Sequence, residues 1–215
     1  MKRNVAIIGC GQTKHSSRRR DVNVAELVSE AVFNALEDAK VSLREVDAFV
    51  VGNMPGFGGI AQPEQWLGDS IGAAGKPVLR IATGGTTGGS VGQGGYYTVA
   101  SGLHDVVVAV AWEKHSDSKE AGATTGLLHV GLGNFFHASA YGLSLKNLVA
   151  TSVVGAAAGV AVYQAMFYMY RSGCSIKHFD MVAAKARRNA AKNKYAHLQW
   201  PGCTAEDIAK TEIIT

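Results

Sequence analysis

The stretch TGGTTGGSVGQGGYYTVASG, residues 83–102, decides how the rest of the chain is interpreted. Seven glycines fall within the twelve residues 84–95, although a glycine destabilises a helix interior by about 1 kcal/mol relative to alanine. The stretch nevertheless ends in YYTVASG, which has the composition of a helix end, and the apolar run HDVVVAVAW follows at 104–112. Glycines at this density predict close backbone approach, tight turns or a loop that faces a ligand.

Regular elements alternate on both sides of this stretch. Apolar residues at helical spacing predict an amphipathic helix over 24–39, and PEQWLGDSIGAAG predicts a second helix over 63–75. Short apolar runs predict strands over 4–11, 48–51, 76–82 and 105–112. Because parallel neighbours need a crossover connection, this alternation predicts an α/β fold with mainly parallel strands covered by helices.

The character of the sequence changes along the chain and predicts three regions. Residues 1–115 form the strand–helix core, 116–150 form a polar, glycine-rich loop excursion, and 151–215 form a helical segment. Within that segment, helices are predicted over 150–172 and 176–197. A third helix is predicted to begin where Thr204 and Asp207 form a capping box, with aspartate in place of the usual glutamate or glutamine.

The helical region contains the most apolar run of the chain. LVATSVVGAAAGVAVYQAMFYMY, residues 148–170, approaches the length of a membrane span. Its glycine, alanine, threonine, serine and glutamine content, within an α/β sequence, favours a tightly packed interior helix or a helix that faces a dimer partner. We therefore predict no membrane span.

Composition and charge exclude several classes of function. Of the 215 residues, 47% are hydrophobic and 18% are charged, which indicates a globular protein with a sizeable core. The net charge of +4 suits an anionic small molecule, and without a nucleic-acid-binding motif we predict no nucleic-acid partner. Cys10, Cys174 and Cys203 are widely spaced and form no zinc motif, which predicts no metal site and free thiols in a reducing cytoplasm. The N-terminus lacks the apolar region and cleavage site of a signal peptide.

Two further features could hold an anion. GCGQTK, residues 9–14, superficially resembles a dinucleotide loop, but it lacks the third glycine and does not open into a helix, so a strand-ending turn is favoured. Arg187 and Arg188 belong to a basic helix that is either a solvated face or a contact for an anionic cofactor. Because they are adjacent, they cannot share one face of that helix.

The glycine stretch itself is the strongest candidate site. A helix N-terminus exposes N–H groups that stabilise anions and oxyanions. Gly84 and Gly85 carry no side chain, and Thr86 and Thr87 are weak nucleophiles without an adjacent base. His115 follows the end of a predicted strand, where ligands gather in α/β sheets, and a structural role fits it as well as a catalytic one. The pattern predicts an oxyanion cradle with no attacking group.

Five segments, in this order, carry a family signature: VAIIGCGQTK, AVFNALEDAKVSLREVDAFVVGNM, LGDSIGAAGKPVLRIATGG, YYTVASGLHDVVVAVAWEKHSDS and AKARRNAAKNKYAHL. Together they resemble the N-terminal half of the thiolase superfamily, in particular its sterol-carrier-protein-type and archaeal branch. The resemblance covers most of 4–118 and 160–214 and is poor over 119–150. It implies a layered fold of βαβαβαββ halves, a homodimer, and Claisen-type chemistry on coenzyme A thioesters without a metal or redox cofactor.

The chain departs from the family pattern in two ways. The resemblance implies an acyl-carrying cysteine at the N-terminus of the buried helix, and alignment on VASG places that position at Gly85. Because glycine cannot replace a thiolate, covalent acyl transfer at residue 85 is excluded. The resemblance also implies a second half, with a histidine and another cysteine. These 215 residues do not contain it, so we expect a continuation of the protein or a separate chain to supply it.

Three functions therefore stay open. The first is an enzyme that forms or cleaves C–C bonds of acyl-CoA, acyltransferase-like or aldolase-like, with Thr86 and Thr87 lining the pocket. Similar aldolases pair with a small OB-fold, zinc-ribbon subunit, so such a partner is expected here. The second is a catalytically degenerate scaffold subunit of a multi-enzyme complex. The third, more remote, is a relative of ketoacyl synthases that uses an acyl-carrier protein, against which the missing cysteine also weighs.

Overall fold

The computed structural model describes residues 3–54, 62–114 and 156–211, and the chain divides into two compact units. Unit 1 consists of Met1–Thr13 and Ser17–Ala123. Unit 2 consists of Lys14–Ser16 and Thr124–Thr215. The glycine-rich excursion predicted over 116–150 lies outside the described residues.

Unit 1 is a parallel sheet covered by helices, as the alternation of patterns predicts. In chain order its described elements are α1 (Val24–Ala39), a 3-10 turn (Leu43–Glu45), β1 (Ala48–Gly52), α2 (Pro63–Leu67), β2 (Val78–Ile81), a second 3-10 turn (Gly84–Thr86), α3 (Thr87–Ala100) and β3 (Val107–Ala111). The described strands form one sheet in the order β2-β1-β3, and both pairings are parallel. Phe49 of β1 lies opposite Val78 of β2 and Val108 of β3. The prediction of an α/β fold is confirmed.

Helix α1 has the bounds predicted from its apolar periodicity. Asn23 caps it by accepting the N–H of Glu26, whose side chain accepts the N–H of Asn23 in return. Its apolar face includes Val28 and Val32, each 1% exposed. These side chains pack with Phe49, Val51 and other residues of the sheet in the core of unit 1, so burial of the apolar face, together with the cap, stabilises the helix.

The strand predicted over 4–11 is wrong, because this segment has no strand assignment. Ile7 is 87% exposed and Ile8 is 58% exposed. The following glycines instead lie against the backbone of α1: a β carbon on Gly9 would lie 2.6 Å from the carbonyl oxygen of Ala35. An apolar run that ends in glycine suits a strand, but it equally suits a segment that runs close along a helix.

Helix α2 is shorter than the predicted helix over 63–75. It begins at Pro63 as expected and ends at Leu67, after which the chain makes turns. The backbone of Gly72 has φ +76° and that of Gly75 has φ +74°, a left-handed conformation that a continuing helix cannot contain. Ile71, 1% exposed, still packs in the core, so the apolar residues of this segment are buried without a helix.

Helix α3 forms despite its glycines because several of them allow it to lie close to the sheet. A β carbon on Gly94 would lie 3.1 Å from Cγ1 of Val50, and one on Gly95 would lie 3.0 Å from Cβ of Ala109. On the sheet side, a β carbon on Gly52 would lie 2.8 Å from Cγ2 of Thr87 on α3. Close helix–sheet contact thus offsets the low intrinsic helix propensity of glycine.

Unit 2 contains three described helices, α4 (Ala156–Ser172), α5 (Ile176–Ala190) and α6 (Ala205–Ala209). The capping box of α6 is confirmed, since Thr204 Oγ1 accepts the N–H of Asp207 at 3.1 Å. Helix α5 ends seven residues before the predicted 197, in turns that lead to α6. Ala184 and Cys203 are buried in this unit.

The apolar helix α4 is not an interior helix over its described side chains. Met166, Phe167, Tyr168 and Tyr170 are between 60% and 87% exposed. The interpretation of this segment as a packed interior helix is therefore wrong for residues 164–172, and the alternative of a helix that faces a dimer partner stays a prediction. Within the described part of the chain, no helix is long and apolar enough to cross a membrane.

Candidate active site

The head of α3 lies at the carboxyl edge of the sheet, where β2 turns into the helix. Gly84 has φ +66°, a left-handed conformation that reverses the chain directly after Thr83. The 3-10 turn Gly84–Thr86 follows and leads into α3 at Thr87. The side chain of Thr86 does not cap α3, so the N–H groups of the first helical turn have no cap from the N-cap residue.

The hydroxyl groups around this turn form a connected network. Thr87, only 5% exposed, accepts the backbone N–H of Thr83 at 3.0 Å and donates to the carbonyl oxygen of Gly84 at 2.7 Å. Thr86 is exposed and donates to the carbonyl oxygen of Thr83 at 2.9 Å. The hydroxyl of Thr83 in turn donates to that of Ser90 at 2.8 Å. Thr87 therefore holds the turn together, while Thr86 presents its hydroxyl at the surface.

Gly85 lies in open space within this turn. It is exposed, its φ is not in the left-handed region, and a β carbon on it would meet no atom within 4 Å. The same open surroundings are found at Gly88, Gly89 and Gly92 on α3. The turn thus has room for a side chain at residue 85, and the sequence supplies none there.

A second group of polar residues, which sequence reasoning missed, holds the end of β1. Asn53 directly follows β1 and is 6% exposed. Its Oδ1 accepts a hydrogen bond from Nη2 of Arg80 on β2 at 3.3 Å. Nε of the same arginine lies 3.4 Å from Oε2 of Glu64 on α2. The only signal in the sequence is position, since Asn53 and Arg80 occur near strand ends, where functional groups gather.

Glu113 contacts the end of β1 from the other side. It follows β3 by two residues, and its Oε1 accepts the backbone N–H of Met54. Although more than a third of Glu113 is exposed, partial burial raises the pKa of its carboxyl above the ordinary value, and the hydrogen bond from Met54 opposes that rise. The two residues that leave β1 are therefore held by one neighbouring strand each, Asn53 through β2 and Met54 through the end of β3.

The structure brings some of the predicted site residues together and not others. Gly85, Thr86 and Thr87 share one turn of unit 1. His115 lies outside the described residues. Arg187 and Arg188 lie on α5 of unit 2, and Nη1 of Arg188 donates to the carbonyl oxygen of Cys203 at 2.6 Å. That bond commits part of the Arg188 guanidinium to the link between α5 and α6. Among the described residues there is no cluster of three or more metal-ligating side chains.

Comparison with known proteins identifies relatives that handle acyl-CoA. An acetyl-CoA acetyltransferase of Methanothermobacter thermautotrophicus is 37% identical over 117 residues, 54% of this chain and 30% of that protein. An acetyl-CoA acetyltransferase of Methanocaldococcus jannaschii is 28% identical over 196 residues, 90% of this chain and 46% of the relative. The benzoylsuccinyl-CoA thiolase subunit BbsB of Thauera aromatica is 28% identical over 216 residues, 100% of this chain and 50% of that subunit. The chain thus spans about half or less of the length of these relatives.

Two solved structures share the fold. An Ltp2-ChsH2(DUF35) aldolase superposes with a TM-score of 0.65 and 24% identity, over 98% of this chain and 49% of that chain. A monomeric SCP2-thiolase-like protein type 1 of Mycobacterium smegmatis superposes with a TM-score of 0.56 and 19% identity, over 96% of this chain and 39% of that chain. The family model described as thiolase, N-terminal domain, matches residues 5–199. The chain therefore belongs to the thiolase family, as the five sequence segments indicate.

Proposed function

We propose that the protein acts on acyl-CoA thioesters to form or cleave a carbon–carbon bond, without acyl transfer to residue 85. The observation that carries this proposal is the head of α3, where Gly85 is exposed and has open space in place of a nucleophile. Membership of the thiolase family and the similarity to two acetyl-CoA acetyltransferases support the substrate class.

A retro-aldol cleavage fits a site that has no nucleophilic side chain at residue 85. A base removes the hydroxyl proton of a β-hydroxyacyl-CoA, the bond between Cα and Cβ breaks, and its electron pair moves into the thioester as an enolate. Protonation of Cα then releases a shorter acyl-CoA together with an aldehyde or ketone. No acyl group leaves the thioester sulfur, so the reaction requires no cysteine. The aldolase among the structural neighbours supports a retro-aldol reaction for this protein.

Each residue of the turn has a distinct role in this proposal. The N–H groups at the N-terminus of α3 stabilise the enolate oxygen, which is the part of the reaction that a preorganised cradle accelerates. Thr87 keeps those groups in place through its two hydrogen bonds. Thr86, exposed beside them, lines the pocket. His115 is proposed to take part in proton transfer. As a separate proposal for unit 2, one or both of Arg187 and Arg188 on α5 contact an anionic group of coenzyme A.

Calorimetry with defined ligands tests the substrate class. We expect acetyl-CoA to bind the purified protein, and coenzyme A without an acyl group to bind more weakly. Arg187→Ala should weaken both ligands, whereas Lys177→Ala, an exposed cation on the same helix, should change neither. If wild-type protein binds no acyl-CoA, the proposal fails.

A variant with a thiol tests the place of Gly85 in the site. Because a side chain at residue 85 meets open space, Gly85→Cys should fold and carry an accessible thiol. We expect an alkylating analogue of acyl-CoA to label this variant faster than a simple alkylating agent of equal intrinsic reactivity does. Ser101→Cys, at an exposed residue directly after α3, serves as the control for non-specific labelling. Equal labelling of the two variants by the analogue would contradict the assignment of Gly85 to an acyl-CoA site.

A non-catalytic scaffold is the second candidate. It is favoured by the turn itself, since Gly85 has no functional group and the Thr87 hydroxyl already donates to one backbone group and accepts from another. A protein that forms a stable complex with a partner enzyme but binds no acyl-CoA would support the scaffold and exclude the enzyme.

Two partners and a location belong to the same proposal. The ChsH2(DUF35) component of the aldolase neighbour supports a small OB-fold, zinc-ribbon subunit as a partner of this protein as well. Leu79 on β2, an edge strand of the described sheet, and Tyr97 on α3 are exposed apolar side chains that support a homodimer. Light scattering of the purified protein would detect it. The free cysteines, one of them exposed, support a reducing cytoplasm.

A further inference from the structure

We infer that Glu113 is a positioning residue, which holds the turn at the head of α3 in place through the backbone that leaves β1. This inference rests on the proposed function for its consequence in acyl-CoA binding, but its structural part stands on contacts within unit 1. The carboxylate accepts the N–H of Met54, 59 residues earlier in the chain. It thereby ties the end of β3 to the end of β1.

The end of β1 lies directly beneath the first turn of α3. A β carbon on Gly52 would lie 2.8 Å from Cγ2 of Thr87 and would overlap Cγ2 of Val91. Gly52 is separated from Met54 by a single residue, Asn53, which Arg80 holds from the other side. Any displacement of Met54 therefore reaches the backbone on which Thr87 rests, because packing this close leaves no free space to absorb it.

Thr87 connects the end of β1 to the turn at the head of α3. Its hydroxyl accepts the N–H of Thr83 and donates to the carbonyl oxygen of Gly84. Those two residues set the direction in which the chain enters α3. The path from Glu113 through Met54 and Gly52 to Thr87 is thus continuous, and each step is a hydrogen bond, a short covalent connection or a van der Waals contact.

Amide hydrogen exchange tests this path without any ligand. In Glu113→Ala we expect the Met54 and Thr83 amides to exchange at least about tenfold faster. The N–H of Met54 loses its acceptor, and the hydrogen bond from the N–H of Thr83 to Thr87 becomes weaker. Glu113→Gln keeps a side-chain oxygen and should restore most of the protection at both amides. Glu37→Ala, an exposed glutamate of α1, is the matched control and should leave both amides unchanged.

The amides of α1 distinguish positioning from general stability. A variant that merely destabilises unit 1 would accelerate the Val32 amide in the core as much as that of Thr83. Positioning requires instead that Thr83 exchange faster while Val32 does not. Faster exchange at Met54 alone, or no restoration in Glu113→Gln, would overturn the inference.

The effect of Glu113 on acyl-CoA binding is measured separately. In Glu113→Ala we expect acetyl-CoA to bind several-fold more weakly by calorimetry, and Glu113→Gln to bind nearly as wild type does. If wild-type protein binds no acetyl-CoA, the proposed function fails, while the exchange of the Thr83 amide still decides whether Glu113 positions the turn.

Discussion

The hydroxyl oxygen of Thr87 lies 3.0 Å from the backbone nitrogen of Thr83, so the first residue of α3 holds the chain that precedes its own helix. Thr87 is buried, and the same hydroxyl donates to the carbonyl oxygen of Gly84. One side chain thus satisfies the N–H of Thr83 and the carbonyl oxygen of the left-handed Gly84. The role of Thr87 in this turn is therefore structural.

Thr87→Val should destabilise the protein although it keeps the shape of the side chain. The N–H of Thr83 would lose its acceptor and the carbonyl oxygen of Gly84 its donor, and each lost hydrogen bond costs about 0.5–1.5 kcal/mol of unfolding free energy. Thr87→Ser should recover most of that loss. Urea denaturation followed by circular dichroism measures the change. Thr86→Val, at an exposed hydroxyl, should stay within about 0.5 kcal/mol of wild type, and equal losses in both variants would contradict this role of Thr87.

Alanine substitutions at Gly84 and Gly85 should have opposite outcomes. A β carbon added at either position would meet no atom within 4 Å, so the two positions differ only in backbone conformation. Gly84 has φ +66°, where an alanine costs about 1–2 kcal/mol. Gly85→Ala should be neutral or stabilise by up to about 1 kcal/mol, because it restricts the unfolded chain. Thermal unfolding of the two variants gives the comparison, and a Gly85→Ala variant that is the less stable of the pair would refute it.

The sequence predicts the elements of unit 1 better than it predicts their contacts. The bounds of α1 follow from its apolar period, which is a local pattern, and the structure adds a capping box of Asn23 and Glu26 at its start. The segment 4–11 misleads because an apolar run followed by glycine does not tell whether the glycines end a strand or lie against a helix, as Gly9 does.

The candidate site is only partly visible in the sequence for the same reason. Thr86 and Thr87 can be found because they adjoin a glycine-rich helix start. Glu113 cannot, since its partner is a backbone N–H 59 residues away and no periodic pattern encodes that distance. Likewise, the pattern does not separate the roles of the two threonines, because burial of Thr87 and exposure of Thr86 depend on the close approach of α3 to β1.

Gly52→Ala and Gly92→Ala should separate glycines that the fold requires from those it tolerates. A β carbon on Gly52 would lie 2.7 Å from the carbonyl oxygen of Ile81 and 2.8 Å from Cγ2 of Thr87, so overpacking should cost about 1–3 kcal/mol. Gly92 lies in α3 with open space around it, so alanine there should stabilise by up to about 1 kcal/mol. Chemical denaturation measures the unfolding free energy of both variants. Changes of the same sign in the two would contradict the close approach of α3 to β1.

Asp47 should give the protein a stability component that depends on pH. Its carboxylate accepts the N–H groups of Val106, at 2.9 Å, and Asp105, at 2.8 Å, and these bonds lower the pKa of Asp47. A lowered folded-state pKa stabilises the fold above the unfolded-state value of about 3.9, and this stabilisation is lost as the pH falls through the folded-state pKa.

Asp47→Asn removes that component. We expect the melting temperature of the variant to be lower than that of wild type at neutral pH, and the difference to shrink as the pH falls below about 4. Asp69→Asn, at an exposed carboxylate in the turn after α2, controls for the general effect of losing a negative charge. A difference that grows on acidification would contradict the direction of the pKa shift.

Chemistry and architecture are separable at the head of α3. The left-handed backbone is confined to Gly84, and the hydroxyl that braces the turn belongs to Thr87, so neither constraint falls on the residue between the glycine and the two threonines. Gly85 can therefore accept or lose a reactive group without any change in the path of the chain. The side chain at this one position can thus change in evolution independently of the residues that fix the turn.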